Sequence, residues 1–93
     1  MDPHNETAIF NYAVMLSKSG KYDQSIAQAK KLIDGKGSDA EMHNIIGIAC
    51  AKKNAFEMAI NHFNKALELK PDFKPASDNL ASLIAKQEAA ERD

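Results

Sequence analysis

The chain has 93 residues and a mass of 10.2 kDa, which leaves room for one ordinary domain and excludes two. Twelve Lys and Arg residues against 13 Asp and Glu residues give a net charge of −1, and Arg92 is the single arginine. The chain therefore lacks both the excess of basic residues and the guanidinium groups that are typical of a nucleic-acid-binding domain. No apolar run in the sequence approaches the about 18 residues that a membrane-spanning helix needs. The single cysteine, Cys50, cannot form an internal disulfide. We therefore expect a cytoplasmic location, where thiols stay reduced.

The first two segments carry apolar residues with the period of an α-helix. Residues 6–19 form the first segment, with Asn5 as the predicted N-cap and a glycine, Gly20, at the end. Residues 22–33 form the second segment, and the glycine-containing stretch 34–38 is predicted to break it. The predicted buried faces of these two helices consist of Ile9, Tyr12, Ala13, Leu16, Tyr22, Ile26, Ala29 and Ile33.

The third segment is predicted to be a helix over residues 40–53. Ser38 and Glu41 have the spacing of a capping box, in which each side chain satisfies a backbone N–H of the other residue. The isoleucines in 45–48 would suit a strand, but the uninterrupted length of the segment and its apolar spacing favour a helix. Asn54 follows, and we expect it to adopt the left-handed backbone conformation of a turn.

The last two segments complete an all-α prediction. Residues 55–69 carry an apolar face and are followed by Pro71, which cannot continue a helix. A fifth helix is predicted to begin near residue 74 and to become polar toward its end. The predicted buried positions of these helices include Phe56, Ala59, Ile60, Phe63, Ala66, Leu67, Leu80, Leu83 and Ile84.

The segments recur with a period of 34 residues, which aligns the turns and the apolar positions together. At this spacing Gly20 aligns with Asn54, and Pro3 lies 68 residues before Pro71. We therefore predict a single domain over residues 1–93. Its expected parts are the remnant of a preceding repeat (1–5), repeat one (6–39), repeat two (40–73) and a C-terminal capping helix (74–93).

The period and the residues at key positions resemble the tetratricopeptide repeat family, whose signature is W-x2-L-G-x2-Y, then A-x3-F, then proline. Residues 40–73 match it with His43, Ile46, Gly47, Cys50, Ala59, Phe63 and Pro71. The resemblance implies a right-handed α-solenoid of helix-turn-helix repeats with five helices. It also implies a scaffold or adaptor without catalytic activity that mediates protein–protein interaction.

The small residues of the motif predict close helix packing. We expect Gly47 and Ala59 to leave room for the backbone of the partner helix and Phe63 to fill the volume between the repeats. The first repeat departs from this pattern. It has Ser25, Ala29 and Leu32 at the places of Ala59, Phe63 and Ala66, which we interpret as an exchange of large and small side chains at constant volume.

No catalytic constellation is apparent in the sequence. The Ser, His and Asp residues fall at turns, at caps or at positions predicted to face solvent, so neither an enzyme nor a cofactor is expected. His43 and His62 lie on consecutive antiparallel helices, where they could approach each other. Two histidines without a third ligand are more typical of packing or surface residues than of a metal site.

A surface on the first helix of each unit is the remaining candidate site. In the family that the chain resembles, these helices line a concave groove that holds a peptide segment of a partner. The groove residues implied here are Phe10, Val14, Lys18, Asn44, Ile48, Lys52, Asp78, Ser82 and Lys86. The aligned lysines favour a peptide with carboxylates and one or two apolar anchors, although lysines near helix ends also serve solubility and the helix dipole.

A structural role is the alternative to peptide binding. The chain would then be a piece of a longer array, or would associate with another copy, through Ile9, Phe10 and Val14 of the first helix. The partner is in either case a protein, with no nucleic acid and no membrane span involved. Dilution distinguishes the two hypotheses, because only the second predicts a homo-oligomer or a requirement for upstream repeats.

Overall fold

The structure, a computed structural model, describes residues 6–36 and 39–91. All secondary structure within these two ranges is helical, so the predicted all-α class is confirmed and residues 45–48 lie inside a helix rather than a strand. The predictions for Pro3 and Asn5 concern positions outside the described residues. The helices are α1 (Glu6–Lys18), α2 (Tyr22–Lys36), α3 (Ala40–Lys52), α4 (Phe56–Leu69) and α5 (Lys74–Glu91).

Both helical hairpins turn in the same way. Gly20 and Asn54 have positive φ angles of 82° and 67°, so the left-handed conformation predicted for Asn54 is confirmed. In each turn the next residue donates its backbone N–H back to the helix, Lys21 to the Leu16 carbonyl and Ala55 to the Cys50 carbonyl, both at 2.8 Å. This is the Schellman arrangement, which satisfies carbonyl groups at a helix end.

The connection between the hairpins differs from the prediction. Helix α2 continues through residues 34–36 instead of ending at Ile33, because one glycine inside a helix costs only about 1 kcal/mol. Helix α3 begins at Ala40, and its N-cap is therefore Asp39 rather than Ser38. The Asp39 carboxylate accepts a hydrogen bond from the Glu41 backbone N–H at 2.7 Å, and its charge suits a helix N-terminus.

Helix α3 lies at the centre of the molecule and packs against all four other helices. Its buried residues include Ile46 and Ala49, which are fully enclosed. The molecule measures 50 × 28 × 17 Å, as expected for hairpins stacked side by side in a helix-turn-helix solenoid. An exposed ion pair between Lys53 and Asp23 also joins the two hairpins at the surface.

Two predicted core residues lie at the ends of this stack and are exposed rather than buried. Tyr12 is 44% exposed, whereas Ile46, its equivalent one repeat later, is completely buried. Ile84 is 40% exposed, whereas the equivalent Cys50 is buried. The reason is that α3 has helices on both sides, while α1 packs only on α2 and α3, and α5 only on α3 and α4.

Gly47 makes room for a ring rather than for a backbone, which corrects the predicted reason for this glycine. A Cβ atom at position 47 would lie 2.5 Å from Cε1 of Phe63, on the neighbouring helix of the same repeat. The equivalent pair in the first repeat is Ala13 and Ala29, and both are completely buried. Leu32, which was expected to supply the exchanged volume there, is partly buried against the same core.

Candidate functional site

A cleft between α3 and α5 contains part of the predicted groove. It has a volume of about 370 Å³. Four predicted site residues line it, two from each helix. The complete lining is formed by Ile48, Ala51, Lys52, Asn54, Phe56, Phe63, Asn79, Ser82, Leu83 and Lys86.

The cleft combines an apolar floor with a positive rim. Phe63 and Leu83 belong to the buried core, and Ile48 packs against that core from the cleft side. Lys52 and Lys86 are exposed, and none of the described residues that line the cleft carries a carboxylate. Within the described part of the chain, neither lysine is ion-paired. The arrangement therefore offers apolar contact and two unneutralised ammonium groups to the same occupant.

Asn79 lines the cleft but was not among the predicted groove residues. Its Nδ2 atom donates a hydrogen bond to Oδ1 of Asn44 at 3.1 Å, and this contact links α5 to α3. Asn44, which was predicted to line the groove, is only 8% exposed and acts behind Asn79. The signal that could have identified Asn79 is its helical spacing from Ser82 and Lys86, which places all three on one face.

The other predicted groove residues lie outside this cleft. Asp78 is exposed, and its carboxylate is 3.8 Å from the Lys74 ammonium group in an i,i+4 ion pair. On α1, Phe10 and Val14 are partly buried against the core, while Lys18 is exposed. Of the three lysines that recur every 34 residues, two thus share the cleft and the third does not line it.

The two histidines of the second hairpin do meet. Nδ1 of His43 is 3.0 Å from Nδ1 of His62. His43 is only 4% exposed and His62 is partly buried, which corrects the expectation that these polar residues face solvent. Burial, together with His43 and nearby lysines, lowers the pKa of His62 to about 4, and burial also lowers the pKa of His43. Both rings are therefore neutral at pH 7.

Ser25 and Cys50 are also buried, the first as a polar residue and the second as part of the apolar core. The Ser25 hydroxyl donates a hydrogen bond to the Ala13 carbonyl at 2.6 Å, between α2 and α1. Burial raises the pKa of the Cys50 thiol, which disfavours the thiolate needed for nucleophilic chemistry. Across residues 6–36 and 39–91, no three His, Cys, Asp or Glu side chains come close enough together to hold a metal ion.

Comparison with known proteins finds a family match in the second hairpin. Residues 40–73, which contain α3 and α4, match the sequence profile of the family described as Tetratricopeptide repeat. Residues 40–73 are therefore identified as a tetratricopeptide repeat. Proteins built from tetratricopeptide repeats are generally protein-interaction modules, and the fold is typically not catalytic.

The chain is also similar to a curated protein from Cyanophora paradoxa, "Uncharacterized protein ycf37", with 32% identity over 78 residues. The matched region covers 80% of the chain and 45% of that relative, so the chain spans less than half of the relative's length. None of the helices in the described ranges combines the length and the apolar character needed to cross a membrane.

Proposed function

We propose that this chain binds a peptide segment of a partner protein in the cleft between α3 and α5. The observation that carries the proposal is the pairing of an apolar floor with Lys52 and Lys86 in a cleft whose lining, among residues 6–36 and 39–91, contains no carboxylate. A bound peptide would place an apolar side chain against Ile48 and Leu83 and a carboxylate between the two lysines. The activity is recognition alone, without a catalytic step or a cofactor.

The other predicted groove residues would enlarge the surface that contacts the peptide. Phe10, Val14 and Lys18 on α1 would contact the part of the peptide that continues past α3 toward the first repeat. On the α5 side, Ser82 lines the cleft itself, and Asn44 fixes the amide of Asn79 there. The cytoplasmic location remains a prediction from the single cysteine.

Peptide titration monitored by amide chemical shifts tests the proposal. The probe is a set of short peptides in which a leucine or phenylalanine neighbours two acidic residues. We expect shifts on α3 and α5, and we expect the double variant Lys52→Gln/Lys86→Gln to bind about 10-fold more weakly at low salt. Lys31→Gln is the matched control, because Lys31 is an exposed lysine on α2 outside the cleft. Equal binding by all three proteins, or shifts confined to α2, would contradict the proposal.

A specific observation also supports the structural alternative. Tyr12 and Met15 on α1 are 44% and 57% exposed, and they replace Ile9, Phe10 and Val14 as the apolar side chains most available for association. Sedimentation over a dilution series separates the two functions. A monomer at micromolar concentration that still binds the acidic peptides supports recognition, whereas a dimer that dissociates on substitution of Tyr12 and Met15 by glutamine supports assembly.

A further inference from the structure

The two histidine rings of the second hairpin meet edge to edge. Their Nδ1 atoms are 3.0 Å apart, while the ring centroids are 5.3 Å apart and the ring planes differ by 24°. The centroid distance exceeds the nitrogen distance by about one ring width, so the Nδ1 atoms point at each other along nearly the same line. This is the geometry of an N–H···N hydrogen bond, in which a single proton lies between the two nitrogens.

The surroundings of His43 determine which ring carries that proton. Its other nitrogen, Nε2, is buried and has no hydrogen-bond partner among the described residues. Buried N–H groups without an acceptor are rare in proteins, whereas a bare nitrogen leaves only a lone pair unsatisfied. His43 is therefore the donor through Nδ1–H, and His62 accepts the hydrogen bond at its own Nδ1.

A second proton has no favourable place in this arrangement. On His62 Nδ1 it would face the His43 proton directly and would abolish the hydrogen bond. On His43 Nε2 it would create a buried cation whose new N–H has no acceptor. The charged groups that act on the pair are Lys30 of α2, Lys65 of α4 and Asp39 at the start of α3, and the two lysines oppose a further positive charge.

We infer that the contact between His43 and His62 is a proton-sensitive latch, which holds α3 against α4 while the pair shares one Nδ1 proton and which a second proton opens. The latch belongs to the hairpin and does not depend on the proposed peptide binding. It nevertheless affects the cleft, because α3 carries Ile48 and Lys52. Acidification would therefore weaken the second repeat and the cleft wall together.

The direction of the pH effect follows from where each state binds the proton. An unfolded chain takes up a proton on His62 near the ordinary pKa of 6.5, whereas the folded chain does so only near its lowered pKa of about 4. Above pH 6.5 the two states bind equally many protons at this residue. Between pH 6.5 and 4 the unfolded state binds more, so stability falls as the pH falls through this window, by up to a factor of about 10 in the unfolding constant per pH unit.

Urea unfolding from pH 7 to pH 4.5 tests the latch with the full chain and three variants. In His62→Asn and His43→Asn, the asparagine side chain can hydrogen-bond from a position similar to that of Nδ1 and cannot be protonated. His4→Asn is the matched control, because His4 is the third histidine of the chain and does not belong to the pair. Carboxylates titrate in all four proteins, so only the difference between them reports on the pair.

As the pH falls below 6.5, we expect the unfolding constants of the wild-type chain and of His4→Asn to rise with each pH unit. This rise should be about 3- to 10-fold larger per pH unit than the rise measured for His62→Asn. Equal pH dependence in wild type and His62→Asn would overturn the inference. Nitrogen NMR of the wild-type imidazoles provides a second measurement if a variant fails to fold. We expect a proton on Nδ1 of His43, a bare Nδ1 on His62 and a scalar coupling between the two nitrogens, and ordinary titration of both rings near pH 6.5 would also overturn the latch.

Discussion

The ring of Phe63 packs directly against Gly47, where the absence of a side chain leaves room for it. This combination of glycine and phenylalanine occurs only in the second repeat. Helix propensity alone would favour alanine at position 47 by about 1 kcal/mol. The first repeat does have alanine there, at Ala13, but it pairs that alanine with the small Ala29. The two repeats thus fill the same position with different combinations of side-chain volume, one with glycine and phenylalanine, the other with two alanines.

We predict that Gly47→Ala destabilises the chain despite the better helix propensity of alanine. The added Cβ would lie 2.5 Å from a ring carbon of a completely packed side chain, and such overpacking costs about 1–3 kcal/mol. Urea unfolding at pH 7 measures the change. The double variant Gly47→Ala/Phe63→Leu should recover part of the loss relative to the sum of the single variants. Additive single and double effects would mean that the ring does not set the cost.

At the scale of the helices, capping decides where α3 begins. Asp39 has an extended backbone, and its carboxylate accepts the backbone N–H of Glu41, so one otherwise unpaired donor of the first turn is satisfied. The N-cap of α4, Ala55, makes no side-chain hydrogen bond of this kind. The start of α3 therefore depends on a single side chain more than the start of α4 does.

We predict that Asp39→Ala lowers the free energy of unfolding by about 1 kcal/mol. Asp39→Asn is the control that keeps a capping oxygen, and it should stay close to wild type. Chemical denaturation gives both values, and amide exchange of the first turn of α3 should accelerate in the alanine variant alone. Equal losses in Asp39→Asn and Asp39→Ala would indicate a role of the negative charge in place of the cap.

Most of the helices and turns could be predicted from the sequence, because the helical period and the turn residues are local signals. The five helices and the left-handed turn at Asn54 were predicted in this way. The end of α2 was wrong, because one glycine does not decide whether a helix continues. The site was harder to predict: Asp78 and Asn79 both have suitable helical spacing, and the rotation of α5 against α3 selects Asn79 for the cleft. The contact between His43 and His62 depends on two neighbouring side-chain rotamers, which no local pattern specifies.

At the scale of the whole molecule, α3 lies at the centre, and the outer helices contribute buried side chains to the core around it. Ala76 and Leu83 of α5 are buried, and Leu83 also forms part of the cleft floor. In a stack of hairpins each helix is stabilised mainly by its immediate neighbours. Helix α5 thus stabilises the second repeat and also forms one wall of the candidate site.

We predict that a chain ending at Asp72, which lacks α5, loses about 2–4 kcal/mol of stability. The reason is the loss of the buried Leu83 side chain and the exposure of the apolar surface that it covers. Urea unfolding should show a lower midpoint together with a smaller slope, since less surface is buried in the shortened chain. A chain ending at Lys86 keeps Leu83 and is the control, which should remain close to full length. Equal midpoints for all three chains would contradict a stabilising role of α5.

The buried thiol of Cys50 has a practical consequence. It is the single cysteine of the chain, it lies in the most enclosed helix, and its side chain is almost completely shielded from solvent. A thiol reagent can reach it only after α3 has separated from its neighbours. The rate at which the unmodified protein is alkylated would therefore report how often α3 separates from its neighbours. The measurement needs no added label and no substitution.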